Sequence, residues 1–194
     1  MNHKTLPRGY RYAGTMDFTR NKKQIMGMFK IAVALLVIPL ALAALVQIIR
    51  DRSTPPPMKF SETWYVWPAT LAMLAVYVPL HELTHGAAML ALSGVRPVFG
   101  IRLPYAWCGS TVWFDRRSHV ITALAPVVLW GIILLILAAV LPRQWYWPLM
   151  ITQASNLSGS AGDIYCVWYL SRMKGDLLIQ DTGTRMRIMR LNEQ

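Results

Sequence analysis

VWPATLAMLAVYVPLHELTHGAAMLAL, residues 66–92, is an unbroken apolar run whose only formally charged residue is Glu82. It is long enough to cross a bilayer core of roughly 30 Å as a helix. An ionised group near the bilayer centre costs about 2.5–3.5 kcal/mol on insertion scales, so such residues are rare and line functional cavities. His81, Glu82 and His85 stand together in this run as His-Glu-Leu-Thr-His. On a helix the two histidines, four residues apart, share one face. That spacing lets both rings reach one tetrahedral Zn²⁺ at about 2.0–2.1 Å, with the glutamate beside a metal-bound water. The stretch therefore predicts a buried zinc site on a spanning helix.

The rest of the chain fits a membrane protein. Of 194 residues 55% are hydrophobic and 15% charged, against about 25% charged in ordinary globular domains. Besides residues 66–92, two further segments, 31–49 and 120–141, carry no Lys or Arg. A fourth, 145–170, is long enough but holds Gln153, Ser155, Asn156, Ser158, Ser160 and Asp163. Polar spans occur where neighbours shield them from lipid, so this one is expected to face the protein interior. The expected fold is a single all-α integral membrane domain over residues 1–194. It has four transmembrane helices, cytoplasmic tails at 1–30 and 171–194, and a short β-hairpin-like loop between the second and third helices.

Charge sets the orientation. With both termini cytoplasmic, 16 of the 20 Lys and Arg residues fall inside: seven in the first tail, four between spans two and three, and five after span four. The positive-inside rule thus predicts a multi-pass protein of the cell membrane with both ends in the cytoplasm. Anionic lipid headgroups account for the net charge of +11. Nucleic acid is not an expected partner, because no base-stacking or groove-reading module accompanies the charge. Ala41-Leu42-Ala43 resembles a cleavage motif, but the apolar run continues to Ile49, which favours a retained helix. Cys108 and Cys166 fall on or near the cytoplasmic side and read as reduced thiols. Pro55-Pro56-Pro57 marks a stiff outer loop, and Trp64, Tyr65, Trp67 with Trp145, Tyr146, Trp147 read as interfacial anchors.

A catalytic zinc usually has three protein ligands, so a third must come from elsewhere. Asp163 is the only acidic residue besides Glu82 in any expected span. His85 stands 11 residues before Arg96, and Asp163 stands 9 before Arg172. At 1.5 Å per residue both side chains lie roughly 13–17 Å from the cytoplasmic helix ends, hence level. Asn156, about two turns before Asp163, shares its face. It is a candidate catalytic residue, bonding a substrate backbone or oxyanion, or else an interhelical hydrogen bond. The small residues Gly159, Ala161 and Gly162 offer close approach to Gly86, Ala87 and Ala88 of the second span. Pro79 removes one backbone hydrogen bond just before His81.

His81-Glu82-Leu83-Thr84-His85 on one span, with Asn156 and Gly162-Asp163 on a later one, resembles the intramembrane zinc metalloproteases of the site-2 protease class. It looks closer still to a small multi-span family of putative zincin peptidases. The resemblance implies His81, His85 and Asp163 as Zn²⁺ ligands and Glu82 as general base. It implies a zinc metalloendopeptidase acting on membrane-embedded or membrane-adjacent peptides. The site-2 class carries its aspartate as Leu-Asp-Gly after Asn-Pro, whereas this chain has Ala161-Gly162-Asp163-Ile164 and no proline near Asn156.

A helical substrate must open locally before its peptide bond is reachable. Residues 97–114 read as two short strands around Cys108-Gly109, whose edge either holds an extended substrate or merely caps the bundle. A membrane zinc-binding or metal-transport protein without hydrolysis is the alternative, and Glu82 discriminates: a pure metal helix has no need of it. The tails are expected to be solvated or surface-bound, His119 to be interfacial, and Asp176 and Asp181 to face solvent.

Overall fold

A computed structural model of the chain describes residues 2–17, 20–51, 64–102 and 105–192. The expected triproline loop lies outside them. Five helices follow one another: α1 (Lys22–Asp51), α2 (Val66–Ser93), α3 (Arg116–Val140), α4 (Tyr146–Gly159) and α5 (Ala161–Ser171). Three are long and apolar enough to cross a membrane, over Lys22–Arg50, Val66–Ser93 and Arg116–Val140. Apolar side chains along them are left uncovered, among them Val37, Leu71 and Ile132, as lipid-facing surfaces require.

The expected fourth span is two helices, with the break at Ser160. Its hydroxyl and its amide both turn back to the Asn156 carbonyl. Thr152 and Ser155 bond the carbonyls of Pro148 and Ile151 in the same way. Such back-bonding bends helices, and Gly159 and Gly162 weaken the same turn. α2, α3 and α4 pack on one another, α5 packs on α3, and α1 lies outside against α4 and α5. The small-residue surfaces meet other partners than expected. A side chain at Gly86 would run into the Phe99 ring, and Gly131 of α3 receives the amides of Asn156 and Gln153.

The all-α expectation needs correction at the end of the bundle, where the chain forms two antiparallel sheets. The expected hairpin is there as β2 (Val98–Arg102) paired with β3 (Tyr105–Gly109). The tails are not free. β1 (Tyr10–Asp17), β4 (Phe114–Asp115), β5 (Leu177–Asp181) and β6 (Arg185–Leu191) make a four-stranded sheet in the order β1-β6-β5-β4. In β6 Met186 and Ile188 turn inward while Arg185 and Arg187 stay exposed, the period-2 pattern of a half-buried strand. With Met16, Leu177 and Ile179 they pack on Cys166 and Leu170 of α5. Asp17 pairs with Arg185 at 2.9 Å, 168 positions away. Asn2 bonds the Leu92 carbonyl and the Asp115 amide. Both ends of the chain are thereby tied to one end of the bundle.

Candidate metal centre

α2 runs through Pro79 and ends at Gly94, whose left-handed backbone (φ 67°) returns its amide to the Leu90 carbonyl. His81 and His85 lie on its inner face, both buried. Asp163 comes from α5. Because the helix restarts after Ser160, Asp163 falls in the first turn of α5, where unpaired backbone N–H groups favour a carboxylate. Asp163 Oδ2 stands 3.8 Å from His81 Nε2 and 3.6 Å from His85 Nε2. One ligand atom from each of the three residues lies within 4.8 Å of the others.

The far side of each ring decides what these atoms are. Tyr77 donates its hydroxyl hydrogen to Asn156 Oδ1 at 2.7 Å, so its oxygen accepts from His81 Nδ1–H, also at 2.7 Å. His85 Nδ1–H donates to the Thr122 carbonyl at 2.9 Å. Nδ1–H of each ring is thus committed to its own acceptor, and both Nε2 atoms face the Asp163 carboxylate at separations beyond hydrogen-bond range. In the neutral tautomer each Nε2 presents a lone pair there, and two imidazoles and a carboxylate so placed share a cation, a proton or a metal ion. Donors about 2.0–2.2 Å from a tetrahedral ion stand roughly 3.3–3.6 Å apart, and the two carboxylate–imidazole separations match that to within a few tenths of an ångström. Ring nitrogens fixed by a second hydrogen bond are the usual companions of metal-ligating histidines.

Glu82 opens into the same cavity of about 220 Å³, together with Cys108, His119 and Asp181. The backbone amide of Cys108 faces the Glu82 carboxylate. Burial, with Glu82 nearby, pushes the Cys108 thiol up to about 12, and Cys108 is not one of the three residues whose ligand atoms cluster. Both cysteines are free and buried. Asp181 does not face solvent as expected. It lines the cavity, and burial, together with the charge of Asp163, raises its carboxyl to about 6 against the lowering effect of the Gly183 amide. Asp176 is exposed and accepts the Tyr10 hydroxyl. The turn after Asp181 closes the mouth: a side chain at Gly183 would strike Trp107 of β3.

One open choice is narrowed and one expectation needs revision. Asn156 is wholly buried and both ends of its amide are committed, Oδ1 to Tyr77 and Nδ2 to the Val127 carbonyl. These are the interhelical hydrogen bonds that form one of its two readings, and through Tyr77 they reach His81. His119 is not interfacial. It is 2% exposed and faces the cavity, because Asp115 caps α3 and starts it one turn earlier, with Ser118 N–H bonded to the Asp115 carboxylate. Tyr77 escaped notice although its spacing of four residues before His81 puts it on the same helix face. Nothing local marks the Thr122 carbonyl.

Residues 74–178 match a family described as "Putative zincin peptidase", and the chain belongs to that family. No curated protein and no solved structure matches it.

Proposed function

We propose that this chain is a membrane zinc endopeptidase that hydrolyses membrane-embedded or membrane-adjacent peptides at the cytoplasmic side of the bilayer. The observation that carries it is the convergence of two tautomer-fixed imidazoles and the Asp163 carboxylate beside Glu82, in a cavity within the helix bundle. Membership of a peptidase family agrees with it. So does the pairing of β1 with β6, which ties both ends of the chain to one side, as an even number of crossings requires. α4 and α5 together make the fourth crossing.

Zinc held by His81, His85 and Asp163 would supply a coordinated water with a pKa near 7 and polarisation of the scissile carbonyl. Glu82 takes a proton from the attacking water as the carbon–oxygen bond forms, and returns it to the amide nitrogen as the carbon–nitrogen bond breaks. β3 has a partner strand on one side only. The Cys108 amide on its open edge faces Glu82, and Ala106, two residues along with its backbone on the same edge, lines the cavity. An extended substrate segment paired with that edge would bring its backbone to the site.

Glu82→Gln is the test. The purified variant keeps zinc at the wild-type ratio by metal analysis and loses about 100-fold or more in cleavage of casein or of membrane peptides found by proteomic comparison of cells. A wild-type protein that retains zinc yet cuts nothing in either assay would favour the metal-binding or transport alternative.

A further inference from the structure

α3 turns two side chains into the metal cavity that bond to nothing among the described residues. His119 and Thr122 are each 2% exposed, lie three residues apart on one helix face, and line the cavity with His81, Glu82 and Asp163. Neither ring nitrogen of His119 has a partner, and neither has the Thr122 hydroxyl. About nine in ten buried polar groups in native proteins are paired. Three atoms without a protein partner on one wall of one cavity are open to a ligand or to water that enters it. Packing alone would be served better by leucine and valine, which carry no desolvation cost.

The remaining cavity groups leave this task open. Asp163 is turned to the two ligand histidines, and the Cys108 amide is aimed at Glu82. The Asn156 amide is spent on Tyr77 and Val127. Hydrolysis needs a donor aimed at the carbonyl oxygen of the scissile bond, because that oxygen gains negative charge as its carbon becomes tetrahedral. Resting on the hydrolase reading above, we propose that His119, assisted by the Thr122 hydroxyl, donates this hydrogen bond and is a catalytic residue of the site. Imidazole carries at least one N–H in either charge state, so the role needs no titration. The bonds made and broken stay those already given, and His119 neither gains nor loses a proton.

The experiment compares wild type with His119→Leu, His119→Gln and Thr122→Val, each purified whole and loaded with zinc. Zinc content, thermal midpoint, casein cleavage and binding of a phosphinic peptide, whose tetrahedral anion imitates the charged carbon centre, are measured on each. All variants are expected to hold wild-type zinc. His119→Leu melts at or above the wild-type temperature, because an unpaired buried ring is replaced by an apolar group. Its kcat falls about 100-fold with KM within about threefold. His119→Gln, which keeps an N–H donor, recovers at least about tenfold. Affinity for the phosphinic peptide weakens across the set in step with kcat/KM.

Loss of zinc in His119→Leu would make the residue a ligand and overturn the proposal. A lower melting temperature with no recovery by glutamine would make it packing. Unchanged cleavage and phosphinate binding in an active wild type would overturn this assignment alone. A zinc-loaded wild type that neither cleaves nor binds the phosphinate would overturn the hydrolase reading beneath it.

Discussion

Tyr77→Phe removes one oxygen atom and leaves every proposed ligand in place. That hydroxyl makes two buried contacts of 2.7 Å, accepting from His81 Nδ1–H and donating to Asn156 Oδ1. Its loss strands one donor and one acceptor. Each unsatisfied buried group costs about 1–3 kcal/mol, so the metal-free variant should be less stable by about 2–6 kcal/mol. The larger consequence falls on the ring. Without its anchor His81 can rotate or take the other tautomer, and partners of this kind are worth about 10–100-fold in metal affinity. That corresponds to roughly 1.4–2.8 kcal/mol. Zinc competition against a chelator of known affinity measures it directly. Asn156→Ala should act in the same direction through the same ring. The double variant should fall short of the sum of the two, since residues in one hydrogen-bond network do not add. Zinc affinity within about twofold of wild type in Tyr77→Phe, or full additivity with Asn156→Ala, would refute the account of how His81 is held.

Two further predictions concern the cover of the site. Gly86→Val puts a branched side chain where Phe99 and Pro97 already sit; the hairpin must shift, and cleavage should fall more than about tenfold while zinc stays bound, by the assays already described. Asp181, whose carboxyl rises from 3.8 to about 6 on folding, makes the folded state bind more protons than the unfolded between those values. Metal-free stability from this group is therefore fully present below about pH 4, declines as pH rises through about 6, and is flat beyond. Thermal midpoints of wild type should show that decline, and Asp181→Asn should remove its share.

The helix that carries His81, Glu82 and His85 was legible because everything it needs lies within one element. Four residues between histidines are about one helical turn, and a continuous apolar run sets the depth. Asp163 was reachable too, since helix rise converts sequence distance into depth. The break at Ser160 was harder to see. Its causes, serine and threonine back-bonds and two glycines, are visible residues, but the same residues also occur in unbroken polar spans. Its position after two arginines gives His119 the sequence pattern of an interfacial residue. Only the Asp115 cap, which starts α3 before those arginines, shows that it turns inward.

The sequence by itself determined the helix that carries His81, Glu82 and His85, the long apolar segments and the charge bias, because helix period, hydrophobic length and charge are local quantities. The tertiary structure decided the rest. Strand pairing between residues 168 positions apart turned two apparently free tails into one sheet, and no local pattern records which distant edge a strand will meet. The rotation of each helix about its axis chose which polar side chains converge. A carbonyl at Thr122, a hydroxyl at Tyr77 and an unpaired ring at His119 acquire their places only once neighbouring helices bring them within about 3 Å of something, or of nothing, inside the bundle.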